Sequence, residues 1–94
     1  MPSVQQVENK IRRIEGFRVR IRHPDGRDVR GDRRAFPQYQ YSRATQNRAS
    51  VTEWTLGRFN TSYPGFSVDV LKVDGSRAHG RTRLSTVRDT YLED

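Results

Sequence analysis

Residues 17–22, Phe-Arg-Val-Arg-Ile-Arg, alternate apolar and basic side chains without a break. Successive side chains on a strand point to opposite faces, so this segment predicts a strand with one buried face and one face of arginines in water. The buried face needs a cover. Just upstream, Val4, Val7, Ile11 and Ile14 recur at helical spacing, Ser3 with Gln6 makes a capping box, and Gly16 follows as a C-terminal stop. These signals predict a helix over about residues 3–15 that packs on the sheet.

Downstream, His23-Pro24-Asp25-Gly26-Arg27 reads as a hairpin loop with Gly26 in the left-handed position, which would bring Val29 back opposite Ile21. Residues 30–34 are too charged to bury and read as an exposed loop, while the alternation around Tyr39 and Tyr41 suggests a strand over about 38–44. Ser50 and Glu53 form a second capping box, followed by Val51, Trp54, Leu56, Phe59 and Tyr63 at imperfect helical spacing. A helix over about 51–60 is expected, weakened by Gly57 and ended by Tyr63-Pro64-Gly65.

Residues 66–73 predict a further strand, turned back at Asp74-Gly75 into 76–84. A three-residue loop ending at Gly75 pairs Val70 with Ala78, Val68 with Gly80 and Phe66 with Thr82, which keeps one face apolar and places Asp69 near His79 and Arg81. The tail, 85–94, fits helix and strand equally. The order implies a two-layer α+β domain spanning 1–94, with the N-terminal helix and a second helix on one face of a mainly antiparallel sheet of about four to five strands. Its expected core is Phe17, Val19, Ile21, Phe66, Val68 and Val70, covered by Val4, Val7, Ile11, Ile14, Trp54 and Phe59.

Composition enters with the question of partners. The formal charge of +7 is concentrated: residues 10–48 hold twelve basic against four acidic residues, a surplus of eight, and the remainder is nearly neutral. A concentrated positive potential favours polyanions, with nucleic acid first and an acidic protein or anionic membrane surface second. Sixteen arginines against two lysines are also what a GC-rich coding sequence would produce without selection on binding, an alternative that accounts for the choice of arginine better than for its clustering. No cysteine is present, which excludes disulfides, thiolate metal sites and thiol nucleophiles and fits a reducing, cytoplasmic setting. Residues 1–16 are too polar for a signal segment or a membrane span.

The motifs of catalysis are missing. There is no Gly-rich phosphate loop, no His-x-x-x-His, no nucleophile elbow and no tight carboxylate cluster, no family's defining motif appears, and no cofactor is implied. His79, with Asp69 across the strand and Arg77 and Arg81 beside it, is the one arrangement a metal-free ribonuclease could use, yet no second proton-transfer group accompanies it. His23 reads as part of a turn.

The basic features carry a more definite expectation. Alternate side chains on a strand lie about 6.6 Å apart, close to the phosphate spacing of a nucleic-acid strand, so Arg18, Arg20 and Arg22 form a candidate row. Arg27, Arg30, Arg33 and Arg34 extend it, and Tyr39 and Tyr41 are candidate stacking platforms for bases. Each has a plainer reading: a solvated strand face for the arginines, and core for the two rings in a chain only 32% hydrophobic. The expectation is a small basic module that binds DNA or RNA through backbone phosphates with little sequence specificity, with the metal-free ribonuclease kept as a third reading. The alternative is an inhibitor, immunity factor or adaptor that docks an acidic protein on the same surface.

Overall fold

The structure, a computed structural model, describes residues 2–27, 29 and 36–92. Helix α1 (Val4–Glu15) begins at the expected capping box: the Ser3 hydroxyl accepts from the Gln6 amide and the Gln6 side chain accepts from the Ser3 amide. It ends at Gly16, whose φ of 84° supplies the left-handed cap. Val4, Val7 and Ile11 are fully buried, and Ile14 packs at the edge of the core.

Strand β1 (Arg18–Arg22) follows with the alternation of burial that its sequence dictates. Its loop closes on Gly26, at φ 91°, with the Gly26 amide on the His23 carbonyl at 2.9 Å. Val29 does return to Ile21, its amide reaching the Ile21 carbonyl at 3.5 Å, and no strand is formed there among the described residues.

Helix α2 (Val51–Trp54) opens at the Ser50–Glu53 capping box, widens into a π-helical segment (Thr55–Phe59) and closes as α3 (Asn60–Ser62). The π turn explains the imperfect spacing in the sequence. Trp54 and Phe59, five residues apart, are both buried because the Asn60 amide bonds back five residues to the Thr55 carbonyl.

Strand β2 (Ser67–Leu71) runs antiparallel to β1, with Val19 opposite Val70 and Ile21 opposite Val68. The chain ends on helix α4 (Leu84–Thr90), which settles the tail as helix and buries Leu84 and Val87. The Tyr91 hydroxyl just beyond it accepts from the Arg18 amide at 3.0 Å and donates to the Leu71 carbonyl. It thereby seals one end of the sheet.

The architecture is α+β, but the expected sheet of four to five strands is wrong: among the described residues it has two. The two segments read as the leading strands of separate hairpins pair with each other instead. The return strand at 76–84 is cut short for a physical reason. Its register is as expected at the start, with the Ala78 amide on the Val70 carbonyl at 2.8 Å, but the Gly80 and Thr82 carbonyls then accept from the Thr52 and Val51 amides at 2.9 Å each. The first-turn amides of α2 have no partner within the helix, and this segment leaves the sheet to satisfy them. Residues 38–44 likewise form no strand. Tyr39 is buried and Gln38 and Gln40 are exposed, so the alternation is real, but the rings plug the core while the backbone pairs with no strand.

The core gathers between α1, the inner sheet face and the α2–α3 helix. Phe17 meets Trp54 edge to face at 5.2 Å, and Phe36 stacks on Tyr63 at 5.1 Å. Of the expected core, Phe66 and Val68 are only partly buried.

Candidate functional site

Because β1 alternates, Arg18 and Arg20 share the outer face of the sheet with Arg22, and the register sets Asp69 of β2 directly across from Arg20. Asp69 does not neutralise Arg20. Its two carboxylate oxygens are taken by Arg22 Nε and by Arg77 Nε at 3.3 Å. Arg22 also donates to the Gly26 carbonyl at 3.2 Å, so the third member of the expected row is committed to the fold. Arg18 and Arg20 are exposed and enter no ion pair among the described residues.

These two arginines line a groove of about 440 Å³ between β1 and α1. The helix contributes Gln5, Asn9 and Arg12 to the opposite wall, at positions a turn apart along one face. Arg12 is exposed and also unpaired among the described residues. Glu8 is the groove's acidic member, and its Oε2 accepts from the Ile21 amide at 2.8 Å on the edge of β1 away from β2. Three arginines therefore line one concavity together with Glu8, whose carboxylate is bound to backbone. That Arg12 shares a groove with Arg18 and Arg20 depends on the packing of α1 beside β1, which no local pattern records.

The remaining expected site residues fall elsewhere. Arg27 is tied to Asp25 at 2.6 Å, and the Arg27 backbone amide together with its guanidinium holds the Asp25 carboxyl below its usual range. Arg30, Arg33 and Arg34 lie outside the described residues. Tyr39 has no exposed surface, and Tyr41 is half-buried beneath the Arg58 guanidinium, 4.4 Å from the ring centre. Neither ring is a platform for a base.

Sequence reasoning missed a second constellation altogether. Glu15 is completely buried, and its carboxylate accepts from Tyr39 at 2.6 Å, Arg58 at 2.7 Å and the Thr45 amide at 2.8 Å, with Arg88 Nη2 at 3.5 Å. The Trp54 indole donates to the Tyr39 hydroxyl at 3.2 Å. Burial, reinforced by Glu15, pushes the Tyr39 phenol well above its ordinary range. Burial also lowers Arg88, with Glu15 opposing that shift. The available signal was that Glu15 lies four residues after Ile11, on the apolar stripe of α1.

Arg43, Arg48 and Arg58 line a separate open groove of about 450 Å³. It is a poorer cation surface, because Arg58 is held by Glu15 and Glu53 stands in the lining.

Nothing assembles as a catalytic centre among the described residues. Asp69 is engaged by arginines, and the His79 Nδ1 accepts from the Arg81 amide at 3.1 Å as part of a local turn, so the Asp69–His79 pair of the ribonuclease reading does not form. No group of three or more His, Asp or Glu there could hold a metal ion, and no helix there is long and apolar enough to cross a membrane. Comparison with protein-family models, with curated proteins and with solved structures returns no match.

Proposed function

We propose that the chain is a small basic module that binds nucleic acid through backbone phosphates, using the groove between α1 and β1. The observation that carries this reading is that Arg12, Arg18 and Arg20 line one concavity without ion-pair partners among the described residues. Unpaired arginines along one groove offer contacts to an anion of repeating charge. The groove is poorly suited to protein docking. Such interfaces centre on apolar or aromatic anchors that enter pockets, whereas this groove has no aromatic residue in its lining, its apolar members Val19, Val29 and Leu71 stand among three arginines, two amides and Glu8, and the exposed apolar residues Leu56, Val73 and Leu92 lie outside it.

Phosphate contacts release counterions, so affinity should fall steeply with salt, by about 0.7 in the slope of log K against log salt per contact on a single strand and about 0.9 on duplex DNA. Three contacts give a slope of about −2 to −3. A titration of labelled oligonucleotide at four salt concentrations tests this. Replacing Arg12, Arg18 and Arg20 together by Gln should abolish most of the slope while leaving the far-ultraviolet circular dichroism unchanged. Absence of wild-type binding at low salt would refute the reading, and affinity for an acidic peptide without affinity for oligonucleotide would replace it by the protein-docking one.

A further inference from the structure

We infer that the occupant of the α1–β1 groove is an unpaired nucleic-acid strand rather than a duplex, an inference that rests on the phosphate-binding reading above. Shape is the first argument. A protein that reads duplex DNA directly sends a ridge, a helix or a two-stranded ribbon, into a major groove about 12 Å wide. Here the three arginines line a hollow, with α1 as one wall. On the outer face of the β1–β2 ribbon, Arg22 and Arg77 are drawn onto Asp69 at its centre and are not free to follow a groove.

Size is the second. A hollow of about 440 Å³ falls within the range of about 300–1,000 Å³ typical of sites for small molecules and cofactors. It admits a nucleotide of a flexible strand, which a rigid double helix cannot present without opening.

The third argument is the chemistry of the wall. Gln5 and Asn9 stand four residues apart on α1, both exposed and both lining the groove beside Arg12. A carboxamide offers a donor and an acceptor together, which is what the edge of a base requires. In a duplex the Watson–Crick edge is already paired; in a single strand it is open. With Arg12, Arg18 and Arg20 on phosphates, the two amides are the groups left to meet the adjoining base. Two amides without an aromatic platform give a modest base contact, consistent with little sequence specificity.

The test compares one ten-nucleotide sequence as a labelled DNA strand, as an RNA strand and as a blunt DNA duplex, by fluorescence anisotropy at one low salt concentration. The strand, in either sugar, should bind about ten-fold more tightly than the duplex. Replacing Gln5 and Asn9 by Ala, both exposed, should preserve folding and lower strand affinity about five- to ten-fold, the loss of two hydrogen bonds, without changing the salt slope or the duplex affinity. Duplex binding as tight as strand binding, or strand affinity unmoved in the amide variant, would overturn the inference while leaving the phosphate reading standing. Absence of binding to all three would remove both.

Discussion

The Tyr39 hydroxyl donates to Glu15 Oε2 at 2.6 Å while accepting from the Trp54 indole at 3.2 Å. Through that oxygen the end of α1, the irregular segment after Phe36 and helix α2 share one buried polar network, completed by Arg58 and Arg88. Breaking a buried ion pair by removing one partner typically costs about 3–5 kcal/mol, because the remaining charge is left uncompensated. Glu15→Gln, which leaves two arginines facing a neutral amide, should lose that much in urea unfolding. Tyr39→Phe should lose about 1–3 kcal/mol, since the Trp54 N–H is then unsatisfied. A loss below about 1 kcal/mol for Glu15→Gln would contradict the network's structural role.

Tyr63 should behave in the opposite way. Its ring is buried against Phe36 and Phe59, but its hydroxyl has no hydrogen-bond partner among the described residues. A buried hydroxyl without a partner carries its desolvation cost uncompensated, so Tyr63→Phe should be neutral or stabilising by up to about 1–3 kcal/mol. Clear destabilisation would mean that the hydroxyl has found a partner.

Both tyrosines also make stability sensitive to alkali. Burial raises the Tyr39 and Tyr63 phenols above the ordinary value near 10, with the Glu15 carboxylate adding to the shift at Tyr39. Above that pH the unfolded chain releases two protons that the folded chain retains, so the stabilisation is complete below about pH 10 and is lost as pH rises toward the folded-state values. The limiting slope is about 2.7 kcal/mol per pH unit for two groups. Urea midpoints measured between pH 9 and 11 should be flat at first and then fall, and Tyr63→Phe should halve the fall.

Gly80 is needed for want of space. A β-carbon there would stand 2.4 Å from the Thr52 hydroxyl oxygen, and the Gly80 carbonyl is itself the acceptor for the Thr52 amide. Gly80→Ala should cost about 1–3 kcal/mol through overpacking, and adding Thr52→Ala should recover most of it. A double-mutant cycle in thermal unfolding reads this coupling directly; additive effects would show that the two residues do not touch.

Elements governed by local chemistry were legible in the sequence. The capping boxes at Ser3 and Ser50, the stop at Gly16, the alternation of 17–22 and the left-handed Gly26 all appear as read. Strand partnership was not, because the alternation of Phe17 to Arg22 says which face is buried and nothing about which segment lies alongside. The return strand after Gly75 failed for a related reason: Gly80 and Thr82 had to choose between the sheet and the bare amides of α2, a competition between distant segments. The candidate site divides along the same line. The exposure of Arg18 and Arg20 was legible from period two alone, whereas the withdrawal of Arg22 to Asp69, the burial of Tyr39 on Glu15 and the placing of Arg12 in the same groove all required the tertiary fold.

The most direct test of the nucleic-acid reading is residue-level mapping of the contact. Labelled with nitrogen-15 and titrated with a short single-stranded oligonucleotide at low salt, the protein should show its largest amide shift changes at Gln5, Asn9, Arg12, Arg18, Val19 and Arg20, reversed by raising the salt. Changes centred instead on Arg43 and Arg48, or no changes at all, would contradict the account.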